Sequence, residues 1–425
     1  MRAKILGKLQ RHPQLVAFLL AVFALGVSNG VFQTTYNNYL NDVFEISATQ
    51  RGALEFPREF PGFLVALLAG ALFFLAENRV AALAAIFTGL GMIGLGMIDQ
   101  SWAALLVFTV IWSIGQHVEM PMRSALAMSL GSQRQHGRRL GQTSAARIAA
   151  NIVGAVFVWV IIDHVARNYL ITFFFGGAAA IIGGLFYYRL RFEQRRRPRG
   201  KLVVRREYSL YYVLCTLFGA RKQIFITFAP WVLVTIYGEP ASTFAKLWVA
   251  SAIIGVFFQQ GLGDLIDNWG ERKVLITDGV VVLLICLGYA FADRIGLPPG
   301  WPVRVLYACY VIDQLLMGIE NARCAYIAKI ARQPEDVSPS LALGITLNHA
   351  VAMLVPFIGG KYVWDVYGYE WVFIGGAGIS VLTIIAANQV RTPPGEAETA
   401  PSQPIEPQAQ ASPEIGGEEG DCELR

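Results

Sequence analysis

The sequence predicts an all-α polytopic membrane protein with 12 transmembrane helices in two pseudo-symmetric six-helix bundles. Three observations point there. The 425 residues are 55% hydrophobic and only 15% charged, against about a quarter charged in soluble domains. Apolar segments of about 20 residues, enough to cross a hydrocarbon core of about 30 Å, recur from end to end. A basic stretch, RLRFEQRRRPRGKLVVRRE at 189–207, divides them six and six. A membrane β-barrel would instead show alternating segments of about 10 residues.

The expected spans are 15–40, 51–76, 80–98, 102–130, 140–162 and 169–189 in the first half. The second half gives 208–236, 243–266, 273–293, 302–331, 340–364 and 370–390. Flanking them are a cytoplasmic N-terminus (1–14), a basic cytoplasmic linker (190–207) and a tail (391–425) whose Pro, Glu and small polar residues predict disorder. The bundles themselves occupy 15–189 and 208–390. The first apolar run lacks a small-residue cleavage site and reads as a retained helix, not a signal peptide.

Lys and Arg cluster at the N-terminus, at 133–139, at 189–207 and at 268–273. The loops between carry few, so both termini are expected in the cytoplasm, and a bacterial inner membrane is the expected location. The net charge of +5 belongs to this topology and not to nucleic-acid binding. The five cysteines are scattered and suggest neither a disulfide framework nor a metal site.

The halves repeat one another. At an offset of 193, Gly26 matches Gly219, Phe32 matches Phe225, Gly62 matches Gly255 and Gly70 matches Gly263. At 203, Gly115 matches Gly318 and Gly141 matches Gly344. Such internal symmetry marks a parallel-repeat transporter.

The loop GDLIDNWGERK at 263–273 resembles motif A of the major facilitator superfamily through Gly263, Asp267, Gly270, Arg272 and Lys273. The resemblance implies the facilitator fold over about 15–390, with Asp267 and Arg272 making charge and helix-end contacts that close the cytoplasmic side. The first-half copy, GALFFLAENRV, departs from the pattern, with Phe74 for the Asp and Glu77 for the second Gly. The antiporter proline-glycine motif is absent from the fifth span, and the early arginine of many proton-coupled members is absent from the fourth.

Ionisable residues in spans are costly and normally mark a pathway. Here they avoid the middles of the third and sixth spans and nearly avoid the ninth and twelfth, which the resemblance makes peripheral. In the second span, LEFPREFPGF sets Glu55, Arg58, Glu59 and Gly62 on one helical face. A span beginning after Pro61 would be too short, so both prolines must lie inside a kinked helix. The repeat places Trp248, Ser251 and Ala252 opposite the three charges, so the scaffold does not require them.

The fourth span offers His117, Glu119 and Arg123, and the fifth Arg147 and Asn151. The first span has Asn29 and Gln33, and the seventh Arg221 and Lys222. Asp313, Glu320 and Arg323 lie in the tenth, Asn348 and His349 in the eleventh. These are the candidate substrate-binding or coupling residues. Arginine forks suit carboxylate or phosphate, and a buried Glu such as Glu320 can carry a proton. Simpler roles stand beside these: Glu119 neutralising Arg123 or Arg147, Glu320 serving Arg221 or Lys222, and Asn29 bonding only between helices. His117 and Glu119, two apart, do not share a metal-binding face, and no cofactor or metal is expected.

A monomeric secondary transporter in the lipid bilayer is therefore expected. It would move a small polar, anionic or zwitterionic organic solute by alternating access, with proton symport. The alternatives are an exporter of amphipathic compounds and a non-transporting sensor or assembly partner. No nucleophile–base or nucleotide-binding constellation suggests an enzyme.

Overall fold

The computed structural model describes residues 13–68, 76–131, 136–165, 168–191 and 204–391. Residues 192–203 of the predicted linker, the tail beyond Arg391, Phe74 and the inner end of the second span lie outside these residues.

In the first half, α1 is Pro13–Phe44 and α2 is Glu55–Leu68, preceded by the short helix Ala48–Ala53. Helices α3 (Glu77–Met97), α4 (Trp102–Ser129), α5 (His136–His164) and α6 (Tyr169–Tyr188) follow. The second half opens with α7 (Ser209–Thr235). Helices α8 and α9 are the arms 241–269 and 271–291 of one continuous stretch, bent where Gly270 takes φ 78°. Only glycine enters that left-handed region without a steric penalty. Helix α10 comprises Trp301–Leu316 and Glu320–Ile330 with a 3-10 turn between them. Helix α11 is Pro334–Ile358 with a π-helical extension to Trp364, and α12 is Tyr369–Asn388.

Among the described residues, ten helices are long and apolar enough to cross a membrane. The 27-residue α7 and the segmented α2 occupy the other two positions of the predicted twelve. The chain is a multi-pass membrane protein.

Local sequence explains the segmented α2. Ser47 and Gln50 form a capping box that starts the short helix. Leu54 keeps right-handed backbone angles, and the Arg58 amide still donates to the Leu54 carbonyl, so the chain continues almost as one helix. Pro57 cannot donate to Ala53, and the ladder loosens there; Pro61 lies inside the helix, as the sequence predicts.

Apolar association between helices gains little inside lipid, so close packing through small residues does that work. A Cβ on Gly30 would sit 2.3 Å from the Asn151 carbonyl oxygen, and one on Gly154 would sit 2.3 Å from that of Val27. Helices α1 and α5 are thus pressed backbone to backbone. One apolar core lies wholly within residues 208–390. A second lies within the first half near Tyr187. A third, around Tyr39 and Trp112, recruits Trp231 and Ala241 from the second half.

The two ends of the bundle differ. The Arg191 amide donates to Gln14, placing the start of α1 beside the end of α6 at what we term the terminal end. At the opposite end the halves meet. Asn38 donates to the Glu239 carbonyl at 2.7 Å, Thr49 to Asp365 at 2.5 Å, and Lys246 pairs with Asp163 at 2.9 Å. That end is closed. At the terminal end, the well-formed charged pairs lie within one half. Lys329–Glu271 and Arg205–Asp336 are examples, and Arg272 donates to Asn388 of its own half.

Candidate functional site

The charged segment of α2 is the centre of the closed half of the molecule. Glu55 is fully buried and accepts from Arg51 and from Arg58, whose Nη2 lies 2.5 Å from Oε2. Gln223 of α7 donates to the same carboxylate at 2.6 Å, so the network crosses between the halves. Arg51, 2% exposed, also donates to Asn37 at 2.9 Å. A carboxylate held by two guanidiniums and an amide is stable away from water because each partner is satisfied.

One turn deeper, Glu59 takes Arg58 on Oε1 at 2.7 Å. Its Oε2 meets His349 Nδ1 of α11 at 2.9 Å and lies 4.0 Å from His117 Nε2 of α4. The two imidazoles stand edge to face, centroids 5.0 Å apart. Gly62 makes room for them, since a Cβ there would come within 2.5 Å of His117 and 2.7 Å of His349. The candidate ligand atoms of Glu59, His117 and His349 lie within 4.8 Å of one another. The sequence offered no such set, because its members come from three helices and both halves.

Toward the terminal end, Glu119 is buried between Arg123 at 2.6 Å and the Tyr187 hydroxyl at 2.7 Å. Arg147, half-buried on α5, lies within electrostatic range of all three. It has no hydrogen bond or ion pair with any described residue. The direct Arg147–Glu119 ion pair weighed from sequence does not form; Glu119 is engaged by Arg123 and Tyr187 instead. Asn29 donates to Asn151 at 3.2 Å, an interhelical bond, and Gln33 is half-buried on the same stripe.

In the second half, Arg221 is buried against Asp278 at 3.4 Å and Asp313 at 3.6 Å. Lys222 is half-buried and donates to Asn348 at 2.8 Å. Arg323 stacks 3.6 Å from the Phe218 ring centroid. Glu320 is exposed on the rim of a cavity of about 170 Å³, shared with Arg323, Cys215 and Asn348. The expectation that Glu320 serves as counter-ion to Arg221 or Lys222 is therefore corrected. Three residues of 3-10 helix at Met317–Ile319 advance the helical face by about 60° beyond α-helical register. Asp313 is buried and Glu320 is exposed.

Motif A shows a related rearrangement. Asp267 is exposed, Arg272 donates to Asn388 at 2.6 Å, and the fully buried carboxylate is Glu271, paired with Lys329 at 2.6 Å. Of the Gly263 side only the helical backbone is described.

Sequence reasoning missed Arg51, Gln223 and Tyr187. The first had a signal, since 51, 55 and 58 share a helical face. The others are ordinary residues made important only by tertiary placement.

A search of curated proteins returns no match. Among solved structures, the nucleoside transporter NupG superposes with a TM-score of 0.71 at 15% identity, covering 88% of this chain and 98% of that one. A bacterial homologue of the human lysosomal transporter Spinster, inward-facing and occupied, gives 0.65 at 16%, covering 90% and 97%. At these identities the likeness speaks to the fold. The family model for the Major Facilitator Superfamily matches residues 15–322. The chain belongs to the major facilitator superfamily.

Proposed function

We propose that this secondary transporter carries a small polar organic anion or zwitterion, with proton symport, by alternating access. The observation that carries the reading is a pair of half-buried cations, one per half. Arg147 makes no hydrogen bond or ion pair with a described residue, and the one hydrogen bond of Lys222 goes to the neutral Asn348. A cation at membrane depth without a direct ion pair is costly, and an anionic solute bound between the halves would offset that cost.

Proton coupling fits the Glu59–His349 contact. Glu59 belongs to the first half and His349 to the second. A proton on the imidazole turns that contact into an ion pair and tightens the closed end; its loss loosens it. Arg58, Glu55 and Lys222 surround the pair and set its charge balance. With both termini in the cytoplasm of a bacterial cell, the closed end faces outward. Protons from outside then favour closure behind the incoming solute.

The test is uptake into proteoliposomes of organic anions, zwitterions, neutral sugars and hydrophobic cations, with and without an acidic exterior. Anions or zwitterions should enter, faster with the gradient. Uptake of sugars or hydrophobic cations alone would overturn the substrate class, and indifference to the gradient would overturn the coupling.

A further inference from the structure

The chemistry at Glu59 goes beyond carrying a proton. We propose that Glu59, His117 and His349 form a binding site for a first-row divalent transition metal, best probed with Zn²⁺, that clamps the two halves together at the closed end.

His117 presents a free ring nitrogen to Glu59. Its Nδ1 lies 3.0 Å from the Ser113 carbonyl oxygen, which can only accept, so Nδ1 carries the ring proton. Nε2 is left with its lone pair, and that lone pair faces the Glu59 carboxylate across 4.0 Å. Two electron-rich groups held opposite one another call for a cation between them. A backbone carbonyl fixing the distal nitrogen is also the usual support for a metal-bound histidine.

The donor set and spacing agree. Two imidazole nitrogens and one carboxylate oxygen are a common three-ligand set for zinc, with a fourth position left open. Bonds of about 2.0–2.1 Å in a tetrahedron put ligand atoms roughly 3.3 Å apart. Here Glu59 Oε2 is 2.9 Å from His349 Nδ1 and 4.0 Å from His117 Nε2, and all three ligand atoms lie within 4.8 Å of one another, so the set closes on a metal through side-chain shifts on the order of an ångström. Arg58 engages Oε1 and leaves Oε2 for the metal. Gly62 supplies the floor: any side chain there would displace both rings.

The groups facing the site are Arg58 and Glu55 on α2, Ser113 on α4, Lys222 on α7 and Asn348 on α11. Arg58 and Lys222 oppose a further cation, and the metal must replace the proton between His349 Nδ1 and Glu59, so binding weakens as the pH falls. Because the ligands span both halves, metal binding holds the closed end shut. The inference is independent of the substrate reading, since it needs only this geometry.

The test is calorimetric Zn²⁺ titration of the purified full-length protein in nanodiscs, alongside its thermal unfolding. One Zn²⁺ per chain should bind, and the unfolding midpoint should rise. His117→Gln and His349→Gln should each weaken binding at least tenfold, and Gly62→Ala should do the same without removing a ligand. Replacing His12, His136 and His164 together should leave binding intact. Equal binding by wild type and the site variants, or loss of binding only in the triple variant, would overturn the inference. So would absence of binding, with a proton then the sole cation of the pair. Uptake by the same preparation reports separately on the transport reading.

Discussion

The two ends of this molecule are built from similar helices but joined differently. At the closed end, charges and hydrogen bonds run between the halves: Gln223 to Glu55, His349 to Glu59, Lys246 to Asp163. At the terminal end, equally well-formed pairs such as Lys329–Glu271 and Arg123–Glu119 remain inside one half. Motif A follows the same division: among the described residues it makes no inter-half side-chain bond, with Arg272 donating to Asn388 of its own half and Asp267 exposed. The difference also explains the glycines. Gly52 would bring a Cβ within 2.1 Å of the Pro356 carbonyl oxygen, and Gly360 one within 2.4 Å of that of Ala48. The closed end is a backbone-to-backbone joint, and only glycine permits it.

Removing Glu55 should break the comparison most severely. Glu55→Ala leaves Arg51 and Arg58 buried without their shared carboxylate. Loss of one partner of a buried pair costs about 3–5 kcal/mol, readable as a lower unfolding midpoint in detergent. Glu271→Ala at the terminal end should cost less, because Lys329 is 48% exposed and can turn to water.

Next comes the joint itself. Gly52→Val forces the short helix Ala48–Ala53 away from α11 and should cost the closed arrangement about 1–3 kcal/mol, roughly tenfold to a hundredfold in population. Spin-label distances across the closed end should lengthen, while the fold of each half persists.

Lys246→Ala tests how much the exposed rim adds. Its side chain is 47% exposed, so the loss should stay below about 1 kcal/mol in thermal unfolding.

The smallest effect is expected at Asp336, which lies before the apolar span that starts at Pro339. The Tyr208 hydroxyl, helped by Arg205, holds its carboxyl below the ordinary value. A lowered folded-state pKa contributes stability above the unfolded carboxylate value, lost as pH falls through the folded one. The unfolding difference between wild type and Asp336→Asn should thus shrink as pH drops below about 4.

Much of this architecture is legible in the sequence because the bilayer imposes it. The apolar spans, the six-and-six division and the placement of PREFP inside a helix all follow from length, hydropathy and proline chemistry. The charged positions of α2 were also visible, since three charges in a span stand out against a greasy background. Their partners were not. His349 reaches Glu59 across 290 positions of sequence, and no local pattern announces that meeting. Glu320 illustrates the opposite failure. Helical spacing grouped it with Asp313, yet Asp313 is buried against Arg221 and Glu320 is exposed at a cavity rim, a difference set by neighbouring helices that local spacing does not show.

The central claim is that Arg147 and Lys222, one cation from each half, hold an anionic solute. Its most direct test is equilibrium binding of the best-transported anion to the purified protein, with Arg147→Gln and Lys222→Gln. The account predicts at least a tenfold loss of affinity in each variant, about 1.4 kcal/mol or more, with unfolding midpoints close to wild type. Unchanged affinity in both variants would contradict it.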